Sequence, residues 1–180
     1  MRIARLIGAA LLVFVGLSGQ AFAIGLYVER LNDISVNVCP VCHRVIVPGS
    51  IHENAEDVMT TELGGALIDA GITYTLEPGE APSLNVLIYR FQERRGSAFS
   101  VERPASVGFH VHFFDPSGLR KVFVFDETQQ PLSENIFRFF AFLKRKAKWI
   151  TAGDLAREGV RKAVDSLADD LKTAPPGGTP

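Results

Sequence analysis

The two cysteines of this chain stand three positions apart, and a histidine follows the second, in the run Cys39-Pro40-Val41-Cys42-His43. The C-x-x-C-H spacing suits covalent haem attachment: two thiols form thioethers to the haem vinyls while His43 ligates the iron from one face. The same pair could instead close a local disulfide, remain a dithiol, or form part of a metal knuckle. Zinc asks for four ligands, and only Cys39, Cys42 and His43 are local, with His52 next nearest. A thioredoxin-like role needs the first cysteine at a helix N-terminus, whereas Pro48-Gly49 postpones any helix until after Ser50. Haem is disfavoured by the β-branched residues on both sides of the motif. Met59, the one methionine besides Met1, falls on the apolar face of a helix and is expected in the core, away from any iron. The expectation is therefore no cofactor, with haem c through Cys39, Cys42 and His43 as the alternative.

A second pair, His110-Val111-His112, places two imidazoles on one side of a strand, a spacing that metal sites use. No third ligand is identifiable beside it. The pair is accordingly expected on the polar face of a half-exposed strand. The chain lacks G-x-S-x-G, G-x-x-x-x-G-K-[ST] and H-E-x-x-H. Asp126, Glu127, Asp169 and Asp170 fall in loop or helix-surface contexts, where solvation explains them. No catalytic residue is assigned, and an enzyme is not expected.

The elements that must carry these residues follow from periodicity. Ile34 to Val38 and Val45 to Val47 are β-branched and predict a strand around the cysteine motif. Ser50-x-x-Glu53 predicts a capping box, and Ala55, Val58, Met59, Leu63, Ala66, Leu67 and Ala70 recur at helical spacing until Gly71. Ile72 to Leu76 is a short β-rich run. Leu84 to Phe91 and Ala98 to Val101 flank polar Gln92 to Ser97, a hairpin with a charged, exposed end. Val107, Phe109, Val111 and Phe113 alternate with Gly108, His110 and His112, so one face should be core and the other polar or exposed. Asp115 to Gly118 turns the chain into Val122 to Phe125. Ser133 can cap a Phe-rich helix from Asn135 to Lys146, and Thr151-x-x-Asp154 can open a last helix with Leu155, Ala156, Val160, Ala163, Val164, Leu167 and Leu171 as its apolar stripe.

The first residues decide where the protein works. Arg2 and Arg5 precede an uncharged apolar run from Leu6 to Leu17, and Ala21-Phe22-Ala23 supplies a small-residue cleavage site. Residues 1 to 23 read as a secretory signal, with an uncleaved anchor as the alternative and a mature chain beginning near Ile24 in a periplasm. The 157 remaining residues suit one domain, over 24 to 172, followed by a disordered Pro/Gly tail over 173 to 180. Two of the 19 basic residues leave with the signal, so the mature chain sets 17 against 20 acidic ones, which gives nucleic acid no attraction. Lys144, Arg145, Lys146 and Lys148 form a local basic cluster that reads as a solvated helix end.

Strands interrupted by amphipathic helices imply an α/β, or α+β, two-layer sandwich: a mostly antiparallel sheet with helices packed on it. The order strand, Pro-Gly, helix over 34 to 71, the strand Leu84 to Phe91, the Asp115-Pro116-Ser117-Gly118 hairpin and the run from Phe125 to Asn135 resemble bacterial envelope domains. These are similar to the penicillin-binding-protein activator and curli-secretion lipoproteins. The resemblance departs from that pattern in two places: a lipid-bearing cysteine is absent, and Cys39 to His43 is additional. It implies an exported, non-enzymatic module that binds or assembles with an envelope protein, with peripheral membrane association allowed. The alternative function is a single-haem electron carrier. The hairpin end at Gln92 to Ser97 and the Phe-rich segment at 137 to 142 are the expected contact surfaces.

Overall fold

The computed structural model describes residues 23–77, 82–96, 101–129 and 150–174. The signal segment up to residue 22, the Phe-rich segment, the basic cluster and the tail beyond Ala174 lie outside these residues.

Seven strands and two helices are described: β1 (Ile24–Arg30), α1 (Ala55–Asp69), β2 (Tyr74–Thr75), β3 (Ser83–Gln92), β4 (Arg95–Gly96), β5 (Val101–Arg103), β6 (Ser106–Asp115), β7 (Gly118–Thr128) and α2 (Ala152–Thr173). Five strands form one sheet in the order β2-β1-β3-β6-β7, while β4 and β5 pair as a small ribbon. β1 runs parallel to both β2 and β3, and the longer ladders, β3 with β6 and β6 with β7, are antiparallel. A parallel neighbour needs a crossover, and the chain from β1 to β2 supplies one through α1. The fold is thus the expected two-layer α/β sandwich, with a mixed sheet whose antiparallel part dominates.

Both helices pack on one face of the sheet. α1 buries Ala55, Met59, Leu63 and Leu67, a stripe at four-residue intervals, and Met59 is a core residue as expected. Gly71 ends the helix region with φ 74, a left-handed conformation that glycine adopts without a Cβ clash. α2 is opened by Thr151, whose side chain accepts from the Asp154 amide while Asp154 reaches back to the Thr151 amide. Its buried stripe meets Phe109 and Phe125. Gly159 stands against those rings: a Cβ there would lie 2.7 Å from Phe125. Arg157 forks onto Glu62 at 2.7 to 3.1 Å and ties the two helices together.

Several local expectations are corrected. The first strand is Ile24–Arg30, and Ile34 to Val38 forms a turn with one isolated bridge, Val38 to Val45. Its β-branched side chains find no neighbouring ladder, so Ile34, Val45 and Val47 stay 68%, 78% and 61% exposed. The Ser50 capping box does not form either. Ser50 instead accepts from the Phe91 amide, Ile51 bridges Phe91, and the helix starts after Asn54 with no side-chain cap.

The sheet's second face is covered too. Residues 31 to 49 fold back across the face opposite the helices, as a flap stitched to β3 at both ends: the Leu31 amide donates to Ile88 and the Gly49 amide to Tyr89, at 2.8 and 2.9 Å. Beneath it a smaller core gathers Leu31, Cys39, Ile46, Leu87 and Tyr89. β3 and β6 are consequently buried on both faces.

Candidate functional site

The alternation in β6 that sends Val107, Phe109, Val111 and Phe113 toward the helices sends Gly108, His110 and His112 under the flap. His110 and His112 are fully buried, which corrects the expectation of a half-exposed polar face. Position 108 is glycine because Tyr89 lies across it, where a Cβ would fall 2.3 Å from the ring. The register shift between Ile88 and Arg90 makes Tyr89 the extra residue of a bulge. Tyr89 and Arg90 therefore both serve the flap side, which a regular strand would not allow.

Directly above the histidines, the flap makes a tight turn. The His43 amide donates to Cys39 O at 3.0 Å and the Cys39 amide to Arg44 O at 2.9 Å, with His43 itself at φ 58. This turn points Cys39 and Cys42 down and leaves His43 exposed on the outside. The C-x-x-C-H run is thus split. Cys39 Sγ lies 3.4 Å from His112 Nε2, and Cys42 Sγ lies 3.4 Å from His110 Nδ1. All four atoms lie within 4.8 Å of one another, and the two thiols are not joined in a disulfide. His52, the other local histidine, sits apart in an exposed contact with Asn54.

The surroundings fix these groups chemically. His112 Nδ1 lies 3.2 Å from Asn85 O, so it donates there and leaves Nε2 as a lone pair facing Cys39. Burial, helped by the second imidazole and by Arg44, pulls His110 down to about 4, and burial likewise lowers His112. Both rings are neutral near pH 7. Burial raises the Cys39 thiol, although the Cys42 and Val41 amides that hydrogen-bond its sulfur pull the other way. Tyr89 stacks edge-on against His110 with ring centroids 5.2 Å apart, and its hydroxyl donates to Asp126 Oδ2 at 3.1 Å. Burial and the Asp126 charge hold that phenol well above its ordinary range. Arg90 pairs with Asp126 and donates to Val47 O at 3.1 Å, pinning the flap's far end.

This arrangement is closed. Cys39, His110 and His112 are fully buried, and Cys42 is half-buried. Nucleophilic chemistry by a thiol–imidazole pair needs a substrate beside the sulfur, and Cys39 is fully buried while Cys42 is half-buried. A groove of about 380 Å³ lies elsewhere, between α1 and α2, and a second of about 320 Å³ beside Ser50 and Arg103; neither is lined by the four residues. The turn also holds no helix to lie along a porphyrin, and His43 faces away from the space the thiols enclose. The geometry does not fit a haem at this place.

Both donor pairs stand in the sequence, but nothing in their spacing joins them. Each looked one or two ligands short, and the signal that completes them is their sum: two cysteines and two histidines, each pair spaced to point one way.

The fold defines a class, the two-layer α/β sandwich with a flap over its second face. No family model matches the sequence, and no curated protein does. Among solved structures, a dodecamer of a PelC point variant from Paraburkholderia phytofirmans is similar at 15% identity and TM-score 0.48, over 84% of this chain and 92% of that one. A DUF330 protein from Xanthomonas campestris follows at 14% and 0.44, over 85% and 90%. A minor lipoprotein from Acinetobacter baumannii matches at 13% and 0.31, over 79% and 93%.

Proposed function

We propose that this chain is an exported, non-enzymatic module of the cell envelope that acts by binding another envelope protein. One observation carries the reading: three of the four reactive side chains that converge are fully buried, while the flap that covers them turns Ile34, Val45 and Val47 outward. Buried donors serve the fold, and exposed apolar side chains on an anchored segment suit a protein partner. The signal-like residues 1 to 23 supply the compartment. Among the described residues, no helix is long and apolar enough to cross a membrane.

The test is site-specific photo-crosslinking in cells that export the full chain. A crosslinker at Val45 or Val47 is expected to give a discrete adduct with one envelope polypeptide, whereas one at Asp169, exposed on α2, gives none. Adducts of equal strength at all three positions, or none at Val45 and Val47, would refute a binding surface on the flap.

A further inference from the structure

We infer that Cys39 Sγ, Cys42 Sγ, His110 Nδ1 and His112 Nε2 ligate a single zinc ion, a closed structural centre that staples the flap to the sheet. Two thiolates and two imidazoles form an S2N2 set, which zinc prefers over harder ions such as magnesium or calcium. The donors come from segments about seventy residues apart in sequence, and their four ligand atoms lie within 4.8 Å of one another. Tetrahedral zinc, with sulfur near 2.3 Å and nitrogen near 2.0 to 2.1 Å, separates neighbouring S and N ligands by about 3.6 Å. Both sulfur–nitrogen contacts here are 3.4 Å.

The groups around Cys39 and His112 fit as well, while His110 Nε2 is buried without a hydrogen-bond partner. The Asn85 carbonyl fixes the His112 tautomer so that Nε2 faces inward, and the amides of Val41 and Cys42 point at the Cys39 sulfur, where they can share a thiolate's charge. A bare thiol–imidazole hydrogen bond would explain each pair singly. It does not explain why two such pairs converge within a small core of Leu31, Ile46, Leu87 and Tyr89, where apolar side chains would pack at less cost in desolvation. With three donors fully buried there is no open position for substrate, which separates a structural centre from a catalytic one.

The experiment uses the exported full chain, stripped with chelator under reducing, oxygen-free conditions and titrated with Co²⁺ and then Zn²⁺. Cobalt is expected to bind one per chain, with thiolate-to-metal charge transfer and the intense visible bands of a tetrahedral site, and zinc is expected to displace it. Cys42→Ser and His110→Asn each weaken zinc by more than the roughly 10- to 100-fold typical of outer-shell changes, while His43→Ala leaves affinity within twofold. Where a ligand variant does not fold, the wild-type cobalt spectrum decides by itself. A weak octahedral spectrum, or no binding by folded protein with two free thiols, overturns the inference. So does loss of binding in His43→Ala equal to that in His110→Asn, or a covalently attached haem on the isolated chain.

Discussion

His43 and His112 illustrate how little a residue's type says without its backbone. His43 completes a motif in the sequence, yet the turn that aims both cysteines inward places it at φ 58 on the outside. His112 looked like one of two polar-face residues and became a buried group whose tautomer a carbonyl fixes. The glycines show the same dependence on place and give a paired prediction. Gly159→Ala puts a methyl 2.7 Å from the Phe125 ring and 2.9 Å from Phe109, both in the packed core, and is expected to cost about 1 to 3 kcal/mol. Gly65→Ala, within α1 and with nothing within 4 Å of the new Cβ, is expected to stabilise by about 0.5 to 1 kcal/mol through helix propensity. Urea unfolding of both variants measures the difference; equal effects, or the reverse order, would contradict the packing of α2 on β6 and β7.

At the scale of elements, what was legible in the sequence were those whose signals are local. Thr151 and Asp154 fall where the capping box predicts, Gly71 closes the α1 region, and Leu84 to Phe91 forms the heart of β3. The flap was not legible, because it has no period: its residues are held by a turn, one lone bridge, backbone hydrogen bonds to β3 at both ends and the Arg90 side chain. Its β-branched composition imitates a strand, and its position decides that the Gly108, His110 and His112 face of β6 is buried rather than wet. β1 was missed for a related reason, since Ile24–Arg30 follows immediately on the signal-like segment and offers a single short run. The flap's attachment gives a second prediction. Arg90 donates to Val47 O and pairs with Asp126, whose carboxylate is half-exposed and can return to water. Arg90→Met is therefore expected to cost about 1.5 to 3 kcal/mol, the range for lost hydrogen bonds to a charged group. The loss should fall on the flap: amide exchange speeds up over residues 31 to 49 while α2 stays protected. Uniform acceleration across the sheet and α2 would show that Arg90 supports the whole fold rather than the flap.

For the whole molecule, the sheet separates two kinds of stabilisation. One face is covered by α1 and α2 through a large apolar core, and the other by an irregular segment with a small core and four clustered donors. An irregular segment buries little apolar area for the backbone entropy lost in ordering it, so a cross-link at its centre is the economical way to hold it. The zinc ion inferred above is that cross-link. The most direct measurement is X-ray absorption at the zinc edge on the exported, full-length protein as isolated under reducing conditions. A first shell of two sulfurs near 2.3 Å and two nitrogens near 2.0 Å is the predicted result. A shell of oxygen and nitrogen alone, or folded protein that carries no zinc, would contradict it.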